Sequence, residues 1–217
     1  MTNKLKIRGV DQRVEFVKQH KIIPIFRRKL SSFEERNCIC SNPVKNEIFF
    51  LQAISKLQDH TYDLILGSHC ASHILKLADE GYPPLFDPFK TLSKNSDGES
   101  EKSGKTKTDK NSLNFCPLNQ EMYNAIGIVC ESWNIDFPNG DLLNILQYLT
   151  ENPEKPSQEW AVLKLNGIIG KDGEHRRLVN MLSDLRQEGK ELKYFTFDNM
   201  NSIISNSGQP NHIENIA

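Results

Sequence analysis

Residues 38–73 read CICSNPVKNEIFFLQAISKLQDHTYDLILGSHCASH, and they hold three of the chain's five cysteines and three of its six histidines. The chemical order is Cys38-x-Cys40, 29 intervening residues, then Cys70-x-x-His73. Ser41-Asn42-Pro43 is a turn-forming cluster directly after the first pair. Glu47 to Ile54 (EIFFLQAI) is rich in aromatic and branched residues and predicts a strand. Tyr62 to Leu66 (YDLIL) predicts a second strand. Gln58-Asp59-His60 supplies a turn between them, so the two pair most simply as an antiparallel hairpin. Gly67-Ser68 breaks the strand. Cys70 to Ala78 (CASHILKLA) predicts a helix, which Gly81 and Pro83-Pro84 end.

This order suits a metal. A tetrahedral zinc site needs four donors at about 2.0–2.3 Å from the ion, and Cys and His are the residues that supply them. The hairpin folds the chain back so that a turn-borne pair and a helix-borne pair can meet at one ion. Cys70 and His73 are three apart and project from one face of a helix start. The helix N-terminus also favours a thiolate. A module this small makes little core, and metal binding would supply folding free energy. Zn2+ on Cys38, Cys40, Cys70 and His73 is therefore expected. His69 is the alternative fourth ligand, although helical spacing favours His73. Four protein ligands leave no open position for water, which points to a structural metal and to no catalytic residue.

These residues resemble the treble-clef class of zinc fingers, in which a turn-borne pair is followed by a hairpin and a helix-borne pair. They look closest to bacterial and phage zinc modules reading roughly C-x-C, strand, strand, G-S-x-C, helix. Here that is Cys38-Ile39-Cys40 and Gly67-Ser68-His69-Cys70, about 45 residues in all. Two features depart from the class. The first pair has one intervening residue where the common knuckle has two, and Ser41 stands where a glycine usually follows the second Cys, which strains the turn. By analogy, the resemblance implies a zinc-stabilised nucleic-acid-binding protein of a phage, mobile-element or bacterial defence system.

Outward from the module, residues 11–20 (DQRVEFVKQH) predict a short helix with Asp11 as N-cap and Val14, Val17 and Phe16 on one side. Pro24 interrupts it, and Ile22 to Phe26 read as extended or loosely helical apolar packing. Residues 93–112 contain no aliphatic and no aromatic side chain, and cannot offset the entropy of ordering. They divide the chain into an N-terminal segment with the zinc module (1–90), a disordered linker (91–114), a helical domain (115–200) and a frayed tail (201–217). In the helical domain Leu118, Met122, Ile126 and Val129 recur at helical spacing, and Asp141 to Leu149 is amphipathic. Trp160 to Ile169 leans helical, Glu174 to Glu188 carries a leucine stripe, and Leu192 to Phe197 suits a short strand. Cys116 and Cys130 lack histidine neighbours and read as core thiols. The fold class is α+β: a ββα zinc-binding module plus a mainly α-helical C-terminal domain.

Net charge is −1, so bulk charge implies no polyanion partner. Residues 1–36, however, hold ten Lys/Arg against four Asp/Glu. Arg27, Arg28, Lys29 and Arg36 are thereby the candidate phosphate contacts just before the metal turn. DNA or RNA is the first expected partner, and a protein held by a non-enzymatic adaptor is the second. The third reading is an HNH-like nuclease centred on His60, between the two strands. No phosphate-cradling glycine loop or nucleophile motif is present, so no small-molecule cofactor is expected. No stretch approaches the ~18–20 apolar residues that span a bilayer, and the first nine residues carry no secretory signal. A cytoplasmic protein without a membrane role is the expectation.

Overall fold

A computed structural model describes residues 7–30, 34–90, 112–186 and 191–214 of the chain. The N-terminal part is built on a four-stranded sheet. After helix α1 (Val10–Gln19) come β1 (His20–Lys29), β2 (Glu47–Ser55), β3 (Thr61–Gly67), helix α2 (Ser68–Ala78) and the two-residue β4 (Leu85–Phe86). The sheet order is β3-β2-β1-β4. The expected hairpin is present: β2 and β3 pair antiparallel from Ile48↔Gly67 to Ile54↔Thr61. The helix expected after it is α2.

β1 is an inner strand of this sheet. It pairs antiparallel with β2 along its whole length and parallel with β4 only at Arg27 and Arg28. Pro24 lies in it, where proline usually breaks a ladder. The strand tolerates Pro24 because the register shifts there, between Pro24 and Phe26, and because β4 pairs only further along. Both β1 and β2 are buried almost continuously, the signature of strands covered on both faces. Phe26 and Phe50 stack at 6.0 Å on one face, against Tyr123 and Phe137. Their neighbours Arg27 and Phe49 point the opposite way, toward Tyr82.

The C-terminal helices are α3 (Pro117–Ser132), α4 (Gly140–Glu151), α5 (Glu159–Ile169), α6 (Leu178–Asp184) and α7 (Asp198–Ser207). They share one hydrophobic core with the sheet. Tyr123 of α3 is fully buried. It accepts a hydrogen bond from Arg27 N at 2.9 Å and donates to Pro84 O at 2.6 Å. The expected disordered linker lies, for residues 91–111, outside the described residues.

Three local expectations are corrected. Helix α1 starts at Val10 with Gly9 in the cap position, Asp11 standing inside its first turn. The helix expected from Glu174 starts only at Leu178, because His175 takes a left-handed φ of 56° and Asp172 gathers the preceding loop. Asp172 accepts from Glu174 N, Arg176 N, Arg176 Nε and Trp133 Nε1. The tail expected to fray from residue 201 continues α7 to Ser207 and then buries Ile213. Its N-terminus is held by Glu121, which accepts from the backbone N–H groups of Asn199 and Met200. Leu192 to Phe197 contributes a single bridge, Phe89↔Leu192.

Candidate metal centre

The first cysteine pair sits on a tight turn docked against the hairpin. Ser41 N donates to Cys38 O at 2.7 Å and Cys38 N to Asn42 O at 2.9 Å. Ile39 N donates to Ile65 O at 3.0 Å, which fastens the turn to β3. Ser41 has φ 70°, so the turn requires the left-handed backbone that glycine adopts without strain. Cys70 lies in the first turn of α2, directly after β3. One turn and one helix start thus converge at the same end of the hairpin.

There the sulfurs of Cys38, Cys40 and Cys70, all buried, lie within 4.8 Å of one another. The Cys40 and Cys70 sulfurs are 3.5 Å apart. Three thiolates at about 2.3 Å from a tetrahedral zinc would be spaced by about 3.8 Å, so the cluster has the dimensions of a metal site. His73 stands outside the group of mutually close donors. Its Nδ1 is nevertheless buried without a hydrogen-bond partner, one turn along α2 from Cys70. His69 is exposed.

The electrostatics are asymmetric. Burial pushes the Cys70 thiol up to about 12, the nearby Cys38 and Cys40 thiols adding to it and Arg13 opposing. Burial also opposes ionisation of Cys40. It is outweighed there by the Asn42 backbone N–H, hydrogen bonds from Cys70 and Cys38, and the charge of Arg13, so that thiol lies below its ordinary value. Without a cation, three buried sulfurs this close cannot all ionise cheaply. A divalent ion removes that obstacle, because coordinated thiols are deprotonated outright.

Arg13 was not legible as a site residue. It is on α1, 7% exposed, and its Nη2 lies 3.2 Å from Cys70 Sγ. The only sequence signal is its spacing with Phe16 on the buried side of α1 and with His20 at the start of β1, and that pattern looks like ordinary packing.

The structure gives the four basic residues expected to meet phosphate other occupations. Arg27 is 7% exposed, reaches Glu47 at 2.7 Å and lies over Phe49. Arg28 is 4% exposed and forks onto Glu34 at 2.7 and 2.6 Å, with Glu131 at 2.9 Å. Arg36 bonds Glu34 and Asp136. Lys29 is half exposed beside Asp87. His60 is exposed in the β2–β3 connection, edge-on to Tyr62. It is at the opposite end of the hairpin from Cys70, roughly 20 Å away by strand rise. Cys130 is buried in α3, as expected of a core thiol, and burial raises it to about 12.

A family model described as Uncharacterised conserved protein UCP028583 matches residues 5–213. The chain belongs to that family. The match runs through the cysteine cluster and the C-terminal helices alike, so family membership takes in the whole architecture described above. No curated protein and no solved structure matches the chain. Among the described residues, no helix is long and apolar enough to cross a membrane.

Proposed function

We propose that the chain is a zinc-stabilised, non-enzymatic binding protein: an adaptor whose metal locks a turn, a hairpin and a helix into a rigid platform for a macromolecular partner. The convergence of three buried sulfurs at one end of the hairpin carries this reading. His73, one turn along α2 from Cys70, is the proposed fourth donor, its Nδ1 being buried and unpartnered. A closed Cys3His set performs no chemistry of its own, and the separation of His60 from the cluster supports that assignment. A protein partner ranks ahead of nucleic acid, because Arg27, Arg28 and Arg36 are committed to carboxylates inside the chain.

One observation favours nucleic acid as the second reading. Lys18, Lys21 and Lys56 line an open groove of about 510 Å³ between α1, β1 and α2, with Val14, Val17 and Leu77 on its walls; Glu80 is the one acid in its lining, and Glu151 lies 3.7 Å from Lys21. Elemental analysis of the purified full chain tests the main proposal. One zinc per chain, lost in Cys38→Ser and Cys70→Ser, supports it, and metal-free protein with intact thiols ends it. Pull-down with nuclease treatment and gel shifts at two salt concentrations then separate the partners. A partner that survives nuclease supports the adaptor. Salt-sensitive retention of nucleic acid at low salt supports the second reading.

A further inference from the structure

We infer that Arg13 is the built-in counter-charge of the cysteine cluster, and that it fits the site to a divalent cation held by three thiolates. The inference rests on the metal-centre reading and adds to it a residue from a separate helix.

Arg13 is a guanidinium in a place where a cation is costly. Its side chain is 7% exposed, and its Nε is buried without a hydrogen-bond partner. Among the described residues it forms no ion pair with a carboxylate. Its one polar contact among them is Nη2 on Cys70 Sγ at 3.2 Å. An arginine stays charged in proteins, and a buried charge without a counter-charge is strongly unfavourable. The group beside it that can carry compensating negative charge is the cysteine cluster.

The charge count then selects the ion. Three thiolates and one guanidinium leave two negative charges, which a divalent cation neutralises. A monovalent ion would leave the buried centre anionic, and a trivalent one would leave it cationic. A neutral imidazole from His73 does not alter the count. Arg13 acts through the sulfur rather than on the metal. By donating to Cys70 it disperses thiolate charge and orients the sulfur, the role outer partners of metal ligands usually play. Because Arg13 belongs to α1 and Cys70 to α2, the same contact ties the docking of α1 to the loaded site.

The test measures zinc affinity of the full chain by competition with a chromogenic chelator, for wild type, Arg13→Met and Arg13→Lys. Arg13→Met should weaken zinc by about tenfold to a hundredfold, and Arg13→Lys should recover part of the loss. Cobalt substituted into each should retain the thiolate charge-transfer absorption, showing that the ligands are unchanged. Zinc affinity in Arg13→Met within about threefold of wild type, below the loss such partners usually cause, overturns the inference while leaving the metal centre intact. If Arg13→Met does not fold, refolding by excess zinc or by Arg13→Lys supports the counter-charge. Failure of both assigns Arg13 to packing and overturns it. A wild-type chain that binds no zinc overturns the metal-centre reading itself.

Discussion

Replacing Arg28 with Met separates a residue that holds the fold from one that waits for phosphate. Met keeps most of the apolar stem of Arg28 and removes its charge and donors. The structure sets the expected cost. Arg28 is 4% exposed, its fork bonds both oxygens of Glu34, and Nη1 reaches Glu131 at 2.9 Å. Glu34 retains Arg36 in the variant. Glu131, 20% exposed on α3, loses its partner. Breaking a buried pair by removing one member costs about 3–5 kcal/mol, whereas an exposed surface side chain changes stability by about 0.5 kcal/mol or less. Urea unfolding of the purified chain reads the difference, and an unchanged slope shows that the same surface is exposed.

The same variant has a pH signature. Burial holds the Glu131 carboxyl above its ordinary value, with the charge of Arg28 as the main opposing influence. Without Arg28 the folded value rises further. A carboxylate raised on folding is costly where it must ionise, so its penalty is present at high pH and fades as pH falls through the folded value. Glu34 has the opposite sign. Burial pushes it up, but hydrogen bonds from Arg28 and Arg36 outweigh burial and hold it at about 2. Its contribution is present above the ordinary carboxylate range and is lost as pH falls toward about 2. The Glu131 part of the Arg28→Met cost should therefore shrink as pH is lowered through the folded value of Glu131, while the Glu34 part persists until pH enters the ordinary carboxylate range. Adding Glu131→Met should return much of the stability, because an apolar pair often replaces a buried ion pair without loss. An Arg28→Met chain that unfolds at the wild-type urea midpoint refutes the reasoning and returns Arg28 to the list of surface contacts.

Two further substitutions probe backbone and packing. Ser41→Gly relieves the left-handed φ of 70° in the cysteine turn and should stabilise the chain by about 1 kcal/mol; a lower thermal midpoint would show that the Ser41 side chain, not the backbone, matters there. Gly127→Ala in α3 places a Cβ 2.5 Å from the ring of Phe86. The usual helical gain of about 1 kcal/mol over glycine should then be outweighed by overpacking of about 1–3 kcal/mol, and a more stable variant by calorimetry would show that the ring yields freely.

The legible parts of this fold are those whose cause is local. The β2–β3 hairpin and α2 follow from branched and aromatic runs bounded by turn residues, and the left-handed Ser41 follows from a serine standing where a turn wants glycine. The convergence of Cys38, Cys40 and Cys70 was readable because two short spacings and a hairpin between them leave few other arrangements. The illegible parts depend on partners distant in the chain. Residues 27–29 read as a charged surface because arginine is rarely buried. The carboxylates that permit its burial are Glu47, 20 positions from Arg27, and Glu131, far along the chain on α3. Arg13 was hidden for the same reason: its partner is a sulfur 57 positions away. Arg13, Arg27 and Arg28 are all buried cations, and for each the structure supplies an anion or thiol from another element. The N-terminal excess of basic residues therefore serves, at Arg13, Arg27 and Arg28, to join elements inside the molecule. Lys18, Lys21 and Lys56 line the groove beside α1 instead, Lys21 near Glu151 and Lys56 bonded to the Val17 and Lys18 carbonyls.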